Sequence, residues 1–233
     1  MTETMANGGI VLSPVLQGDA AVARAQIYYF LELALSHPGE DGLEWLRDPN
    51  TRSGFRAFAS QLPDDAALAS ATAAIEAFLA ALADKDYEQI EAAHINLFTS
   101  NFPTVACPPY GSLFTVEEPK RLEEMLAIKT FYHECGFDIA ETFDDLPDHL
   151  CVELEMMHVL CSGAQDGEQQ QRQAFFLDRF MLPFVTRLAA IASALGDDNP
   201  YSHLIGATRF FVENHRNALA RASRSATAKE PVS

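Results

Sequence analysis

Apolar residues in this chain recur three and four positions apart, segment after segment, and Pro or Gly closes most segments. No other feature constrains the fold as much. Side chains at i, i+3, i+4 and i+7 share one face of an α-helix, whereas a strand needs strict alternation. Ile27, Phe30, Leu31 and Ala34 show the pattern in a helix predicted over 20–35, which His37-Pro38-Gly39 ends. A short piece follows at 42–46, Pro49 interrupts, and another runs to Leu62. Pro63-Asp64-Asp65 opens a helix to Ala83, with Ile75, Phe78, Leu79 and Leu82 on one face. Asp86 is placed to cap a helix from Tyr87 to Phe98. The segment 99–113 holds Pro103, Pro108, Pro109 and Gly111 and is predicted to be irregular.

Pro119 fits the first turn of a helix that Gly136 stops after Cys135. An acidic loop follows over 137–146, with Asp138, Glu141, Asp144 and Asp145. A helix from Pro147 to about Cys161 comes next, then a polar Gln/Glu run at 165–173, then helices over 174–195 and 201–220. No segment shows a period-two run of β-branched residues, and no repeat of fixed length is present. The predicted fold is all-α, a single-domain helical bundle of about ten helices over 20–221. Residues 1–19 are expected to be a flexible N-terminus and 222–233 a disordered tail.

The chain is long enough, at 233 residues, for one substantial core. Its net charge of −17 argues against nucleic acid, because phosphate binding needs a basic footprint. The same charge disfavours an anionic membrane surface and steers basic peptides in. No stretch has the length and hydropathy of a membrane span, and the first residues lack the basic and apolar regions of a signal peptide, so the expected location is cytoplasmic, with no stable membrane insertion. Cys107, Cys135, Cys151 and Cys161 form no CxxC pair and are expected to be free thiols of the core.

Two short stretches carry chemistry. One is Cys107-Pro108-Pro109-Tyr110-Gly111-Ser112-Leu113-Phe114, just after Leu97-Phe98 closes a helix. The other is Leu146-Pro147-Asp148-His149-Leu150, which runs on through Glu153-Leu154 to Met156, Met157 and Leu160. Pro147 suits a first helical turn, Asp148 is placed to cap it, and an acid beside an imidazole at a helix mouth calls for explanation. In this order and spacing the stretches resemble the TorD/DmsD/NarJ family of molybdoenzyme maturation chaperones, and in particular the branch serving type II DMSO-reductase-family enzymes. The chain departs from the family at Gly111, where many members carry an acid, and in having Trp45 as its only tryptophan.

The resemblance implies a cytosolic, non-enzymatic chaperone that needs no cofactor of its own. Its partners would be the apo catalytic subunit of a molybdenum oxidoreductase and that subunit's twin-arginine signal peptide. It would hold export back until the molybdenum cofactor is inserted. The implied leader-binding residues are Leu97, Phe98, Pro108, Pro109, Tyr110, Ser112, Phe114, Asp148 and His149. The apolar members would line a groove, and Asp148 with the acidic loop would offer carboxylates to the leader's arginines. The bland alternative makes Asp148 a helix cap and His149 a satisfied interface histidine.

A rival reading comes from metal chemistry. Glu91/His94 and Glu155/His158 are two Glu-x-x-His pairs on two predicted helices. With one Glu from each of two further helices, such pairs build the di-iron or di-manganese centre of a four-helix-bundle oxidoreductase. Glu32, Glu76, Glu123 or Glu213 could complete it. No GxGxxG, Walker, GxSxG or HExxH motif is present. A plain adaptor without leader specificity is the third reading.

Overall fold

A computed structural model describes residues 20–100, 104–138 and 145–227. The expected flexible N-terminus, Glu141 and Asp144 of the acidic loop, and the tail beyond Thr227 lie outside them. The elements in chain order are α1 (Ala20–Leu35), α2 (Glu40–Arg47), α3 (Pro49–Ala59), α4 (Ala66–Ala81), α5 (Tyr87–Phe98), α6 (Ser112–Thr115), α7 (Arg121–Glu134), α8 (Leu150–Ser162), α9 (Gly167–Phe176), a π-helical turn Leu177–Met181, α10 (Leu182–Ala194) and α11 (Pro200–Thr227). The described residues contain no strand, as the periodicity predicts. α1 lies against α8 and α3, while α11 lies against α4 and α10. The core between them is aromatic-rich, with Tyr28, Phe30, Phe78, Phe176, Phe184, Tyr201 and Phe211 all buried.

Local chemistry accounts for most boundaries. Asp86 and Gln89 form a reciprocal capping box at the start of α5. Asp65 caps α4 by accepting from the Leu68 N–H. Pro49 does not merely interrupt. It takes the first turn of α3, with Asp48 as the cap. Gly136 ends α7 in the left-handed region, φ +86°, where a Cβ would clash with its own backbone.

The structure departs from the sequence expectation in three places. The polar Gln/Glu run placed ahead of the helix expected from Ala174 is itself helical from Gly167. Its amides serve the exposed end of α8. Gln165 donates to the Cys161 carbonyl (3.0 Å), and Gln169 and Gln173 donate to the Leu160 carbonyl (2.8 and 2.9 Å). The π-helical turn lets this helix run into α10 despite Pro183, whose ring would clash with an ordinary i−4 carbonyl. Finally, α11 continues to Thr227, past the break expected near residue 221.

Candidate functional site

The Pro-Pro stretch and the Pro-Asp-His stretch are laid side by side. The Gly111 N–H donates to the Asp148 carbonyl and the Leu150 N–H to the Pro109 carbonyl, both at 2.8 Å. These bonds make an isolated antiparallel bridge between Tyr110 and His149. Above it the Tyr110 and His149 rings meet edge to face, centroids 5.3 Å apart. The loop is anchored behind by the Cys107 N–H, which donates to the Leu97 carbonyl at 2.9 Å.

His149, not Asp148, caps α8. Its Nδ1 accepts from the Cys151 N–H at 3.2 Å. That bond leaves the ring proton on Nε2, which faces the Asp145 carboxylate at 3.6 Å. Burial outweighs this carboxylate and holds His149 below the ordinary histidine range.

Asp148 corrects the sequence reading. It is 1% exposed, and its Oδ2 accepts from the Ser112 N–H at 2.8 Å. The carboxylate points into the protein and ties the loop to the helix mouth, so it offers nothing to a ligand outside. Beneath it lies Glu153, also 1% exposed, which burial and the charges of Asp148 and Glu124 hold well above the usual carboxylate range. Glu153 fills the space beside Gly111. A Cβ at that glycine would sit 2.9 Å from Glu153 Oε1. The third acid of the layer, Glu124, takes both arms of Arg179 at 2.6 and 2.5 Å.

In front of this buried layer opens a cleft of about 660 Å³. Phe98, Pro108, Pro109, Tyr110 and His149 line it together. The other implied residues stand behind it. Leu97 is buried, Ser112 is buried with its backbone N–H bonded to Asp148, and Phe114 stacks on Phe184 at 5.4 Å. The opposite wall comes from residues the sequence did not single out as a leader site: Glu32, Leu35 and Ser36 of α1 and its end, then His37, His94 and Glu155. One signal was available, since Glu32 is the only acid in α1 and follows directly on Phe30 and Leu31.

The two Glu-x-x-His pairs do not assemble a metal centre. His94 Nε2 donates to the Leu35 carbonyl at 3.0 Å, and His158 Nδ1 lies 2.8 Å from the Ala25 carbonyl. Glu91 accepts from the Tyr87 hydroxyl at 3.0 Å. Among the described residues no group of three or more His, Cys, Asp or Glu could hold a metal ion. The di-metal alternative is overturned because these helices turn their imidazoles toward neighbouring backbone instead of toward a common point.

Residues 61–190 match the family described as nitrate reductase delta subunit. The chain belongs to that family. The resemblance to the NarJ/TorD type of chaperone is thereby borne out. The matched part of this delta-subunit-family chain spans α4 to α10 and so contains both stretches of the bridge, whereas Glu32 lies outside it. The chain is also similar to a perchlorate reductase assembly chaperone protein from Dechloromonas aromatica (strain RCB), 24% identical over 218 residues that cover 84% of this chain and 90% of the relative. Among solved structures it resembles a candidate redox enzyme maturation protein from Archaeoglobus fulgidus, with a TM-score of 0.49 and 20% identity over 89% of this chain and 99% of the other. No described helix is long and apolar enough to cross a membrane.

Proposed function

We propose that this chain is a cytoplasmic maturation chaperone that captures the twin-arginine leader of a molybdopterin oxidoreductase catalytic subunit in the acidic cleft. It holds the apo subunit back from export until the molybdenum cofactor is inserted, and it makes or breaks no bond itself. Membership of the delta-subunit family supports the coarser statement, an assembly chaperone for a molybdoenzyme. The likeness to a perchlorate reductase assembly chaperone agrees with it.

One observation carries the leader reading. Glu32, Asp145 and Glu155 line the cleft together with the apolar Phe98, Val105, Pro108, Pro109 and Leu150, and no Lys or Arg is among the lining residues. Paired arginines followed by an apolar stretch complement such a wall in both charge and hydropathy. The chain's −17 charge adds long-range attraction. The residues implied by the resemblance divide into two groups. Phe98, Pro108, Pro109, Tyr110 and His149 touch the leader, whereas Leu97, Ser112, Phe114 and Asp148 hold those residues in place.

Calorimetric titration with a synthetic twin-arginine leader tests this reading. Tyr110→Ala should cost about 1–3 kcal/mol of affinity through lost apolar contact. Leu122→Ser, on the exposed face of α7 outside the cleft, should change nothing. Equal binding of wild type and Tyr110→Ala, or of the leader and a scrambled peptide, would sink the proposal.

A further inference from the structure

We propose that His149 is a proton-operated latch on the cleft. The neutral ring holds the first turn of α8 and the Tyr110 loop in the leader-binding shape, and a proton on Nδ1 undoes that hold and lowers leader affinity. Release of the leader rests on the leader reading above, whereas the latch itself belongs to the free protein.

Three contacts meet on this one imidazole. Nδ1 accepts from the Cys151 N–H at 3.2 Å and so caps α8. Nε2 faces the Asp145 carboxylate at 3.6 Å. The Tyr110 ring stands edge to face with it at 5.3 Å, and the same two residues form the backbone bridge. Tyr110, Asp145 and His149 all line the cleft, so the latch is part of its wall. The usual caps, Ser, Thr, Asn and Asp, keep their acceptor through the whole range near neutral pH. A histidine caps only while Nδ1 carries a lone pair.

A proton from solvent reverses each contact. Nδ1–H and the Cys151 N–H then point two donors at each other, and a cation stands at the positive end of the α8 dipole. The ring has to turn away, toward Asp145, and its contact with Tyr110 turns with it. Asp145 is then paired inside the protein and closed to an arginine of the leader. The imidazolium also repels that arginine. Loss of shape and loss of charge complementarity act in the same direction, so the leader is held near neutral pH and let go in acid.

Burial holds His149 below the ordinary histidine range against the pull of Asp145 and Asp148. The latched form therefore prevails at pH 7, and release sets in below about pH 6.5. The groups that face the ring are Asp145 and Asp148 on its own turn, Tyr110 on the loop, Cys151 on α8 and His94 on α5, and Glu32, Glu155 and His37 share the cleft. Burial raises Tyr110 and pushes Cys151 up to about 12, and it lowers His94, so these three stay neutral at pH 7. Glu32, pushed up to about 7 by burial and then by the Glu155 charge, also gains a proton in acid and also weakens binding. The His149 effect is thus read as a difference between two proteins that both keep Glu32.

NMR titration of the intact wild-type protein tests the latch without a leader. As the His149 ring gains its proton, the Cys151 amide should shift and exchange faster with the same midpoint, because its bond to Nδ1 is the one that breaks. A synthetic twin-arginine leader should move that midpoint to lower pH, by linkage. Calorimetric titration with the same leader at pH 5.5 and pH 7.5 gives the size. His149→Asn keeps a cap acceptor and cannot titrate. The fall in affinity from pH 7.5 to pH 5.5 should be about three- to tenfold larger in wild type than in His149→Asn, the upper end being one charge-assisted bond lost in every molecule. If His149→Asn does not fold by circular dichroism, the NMR titration decides alone. A Cys151 amide that ignores the His149 titration, a ring that stays neutral until the protein unfolds, or an equal fall in both folded proteins would overturn the latch and leave the leader reading standing. A wild type that binds no leader at pH 7.5 would overturn the leader reading and the release with it, while the Cys151 amide still decides the latch.

Discussion

Removing the Asp148 carboxylate should damage stability, and removing only its charge should not. The Ser112 N–H donates to Asp148 Oδ2 at 2.8 Å in a place closed to water. Asp148→Ala deletes that acceptor and leaves the amide buried and unpaired, which costs about 2 kcal/mol on the scale of charged-group bonds and orphaned donors. Asp148→Asn keeps an amide oxygen at the same reach. It also takes away a charge that disfavours ionisation of Glu153, so the expected cost is under about 0.5 kcal/mol. Urea unfolding followed by circular dichroism separates the two. With an m-value of about 2 kcal/mol per M, the midpoint should fall by about 1 M for Ala and barely move for Asn. Leader binding by Asp148→Asn should keep the wild-type salt dependence, because this carboxylate does not face the cleft. Equal destabilisation by Ala and Asn, or a weaker salt dependence in Asn, would refute the reasoning.

Two buried groups should tilt the pH–stability curve in opposite senses. Glu153 is raised in the fold, so it keeps its proton while the unfolded chain ionises. Stability is therefore lost as pH climbs above about 4.5, at up to about 1.4 kcal/mol per pH unit, and Glu153→Gln should flatten that slope in denaturant titrations. His215 is fully buried, takes the Tyr28 hydroxyl on Nδ1 at 3.0 Å, and is held well below the ordinary range by burial and then by Arg24. The unfolded chain gains this proton first as pH drops below about 6.5, so stability falls there, and His215→Gln should remove that fall when unfolding is compared at pH 6.5 and 5.5. Cys107, Cys151 and Cys161 should react slowly with Ellman's reagent at pH 8 until denaturant is added, because burial pushes Cys107 up to about 11 and Cys151 and Cys161 up to about 12. Fast labelling of Cys161 in folded protein would contradict its burial.

The sequence by itself determined the helical class and most helix edges. The 20–35 periodicity, the Asp86 capping residue and the Gly136 stop each act within a turn or two of the chain, so their partners lie inside the same short window. It also marked the Pro108-Pro109-Tyr110 loop, since proline-bound backbone cannot be helix and a solvent loop has no use for Tyr and Phe. What it could not decide were the directions of polar side chains whose partners are remote. Asp148 looked free to meet arginine until Ser112, thirty-six positions earlier, claimed it. Gln169 and Gln173 stood only in a polar run ahead of the next helix, and the structure sets both amides on the Leu160 carbonyl. His94 and His158 looked like ligands until Leu35 and Ala25 supplied backbone oxygens. Glu32 joins the cleft only because α1 lies against α8. Helix formation is settled by bonds between residues four apart, whereas a buried polar group must find its partner wherever packing brings one.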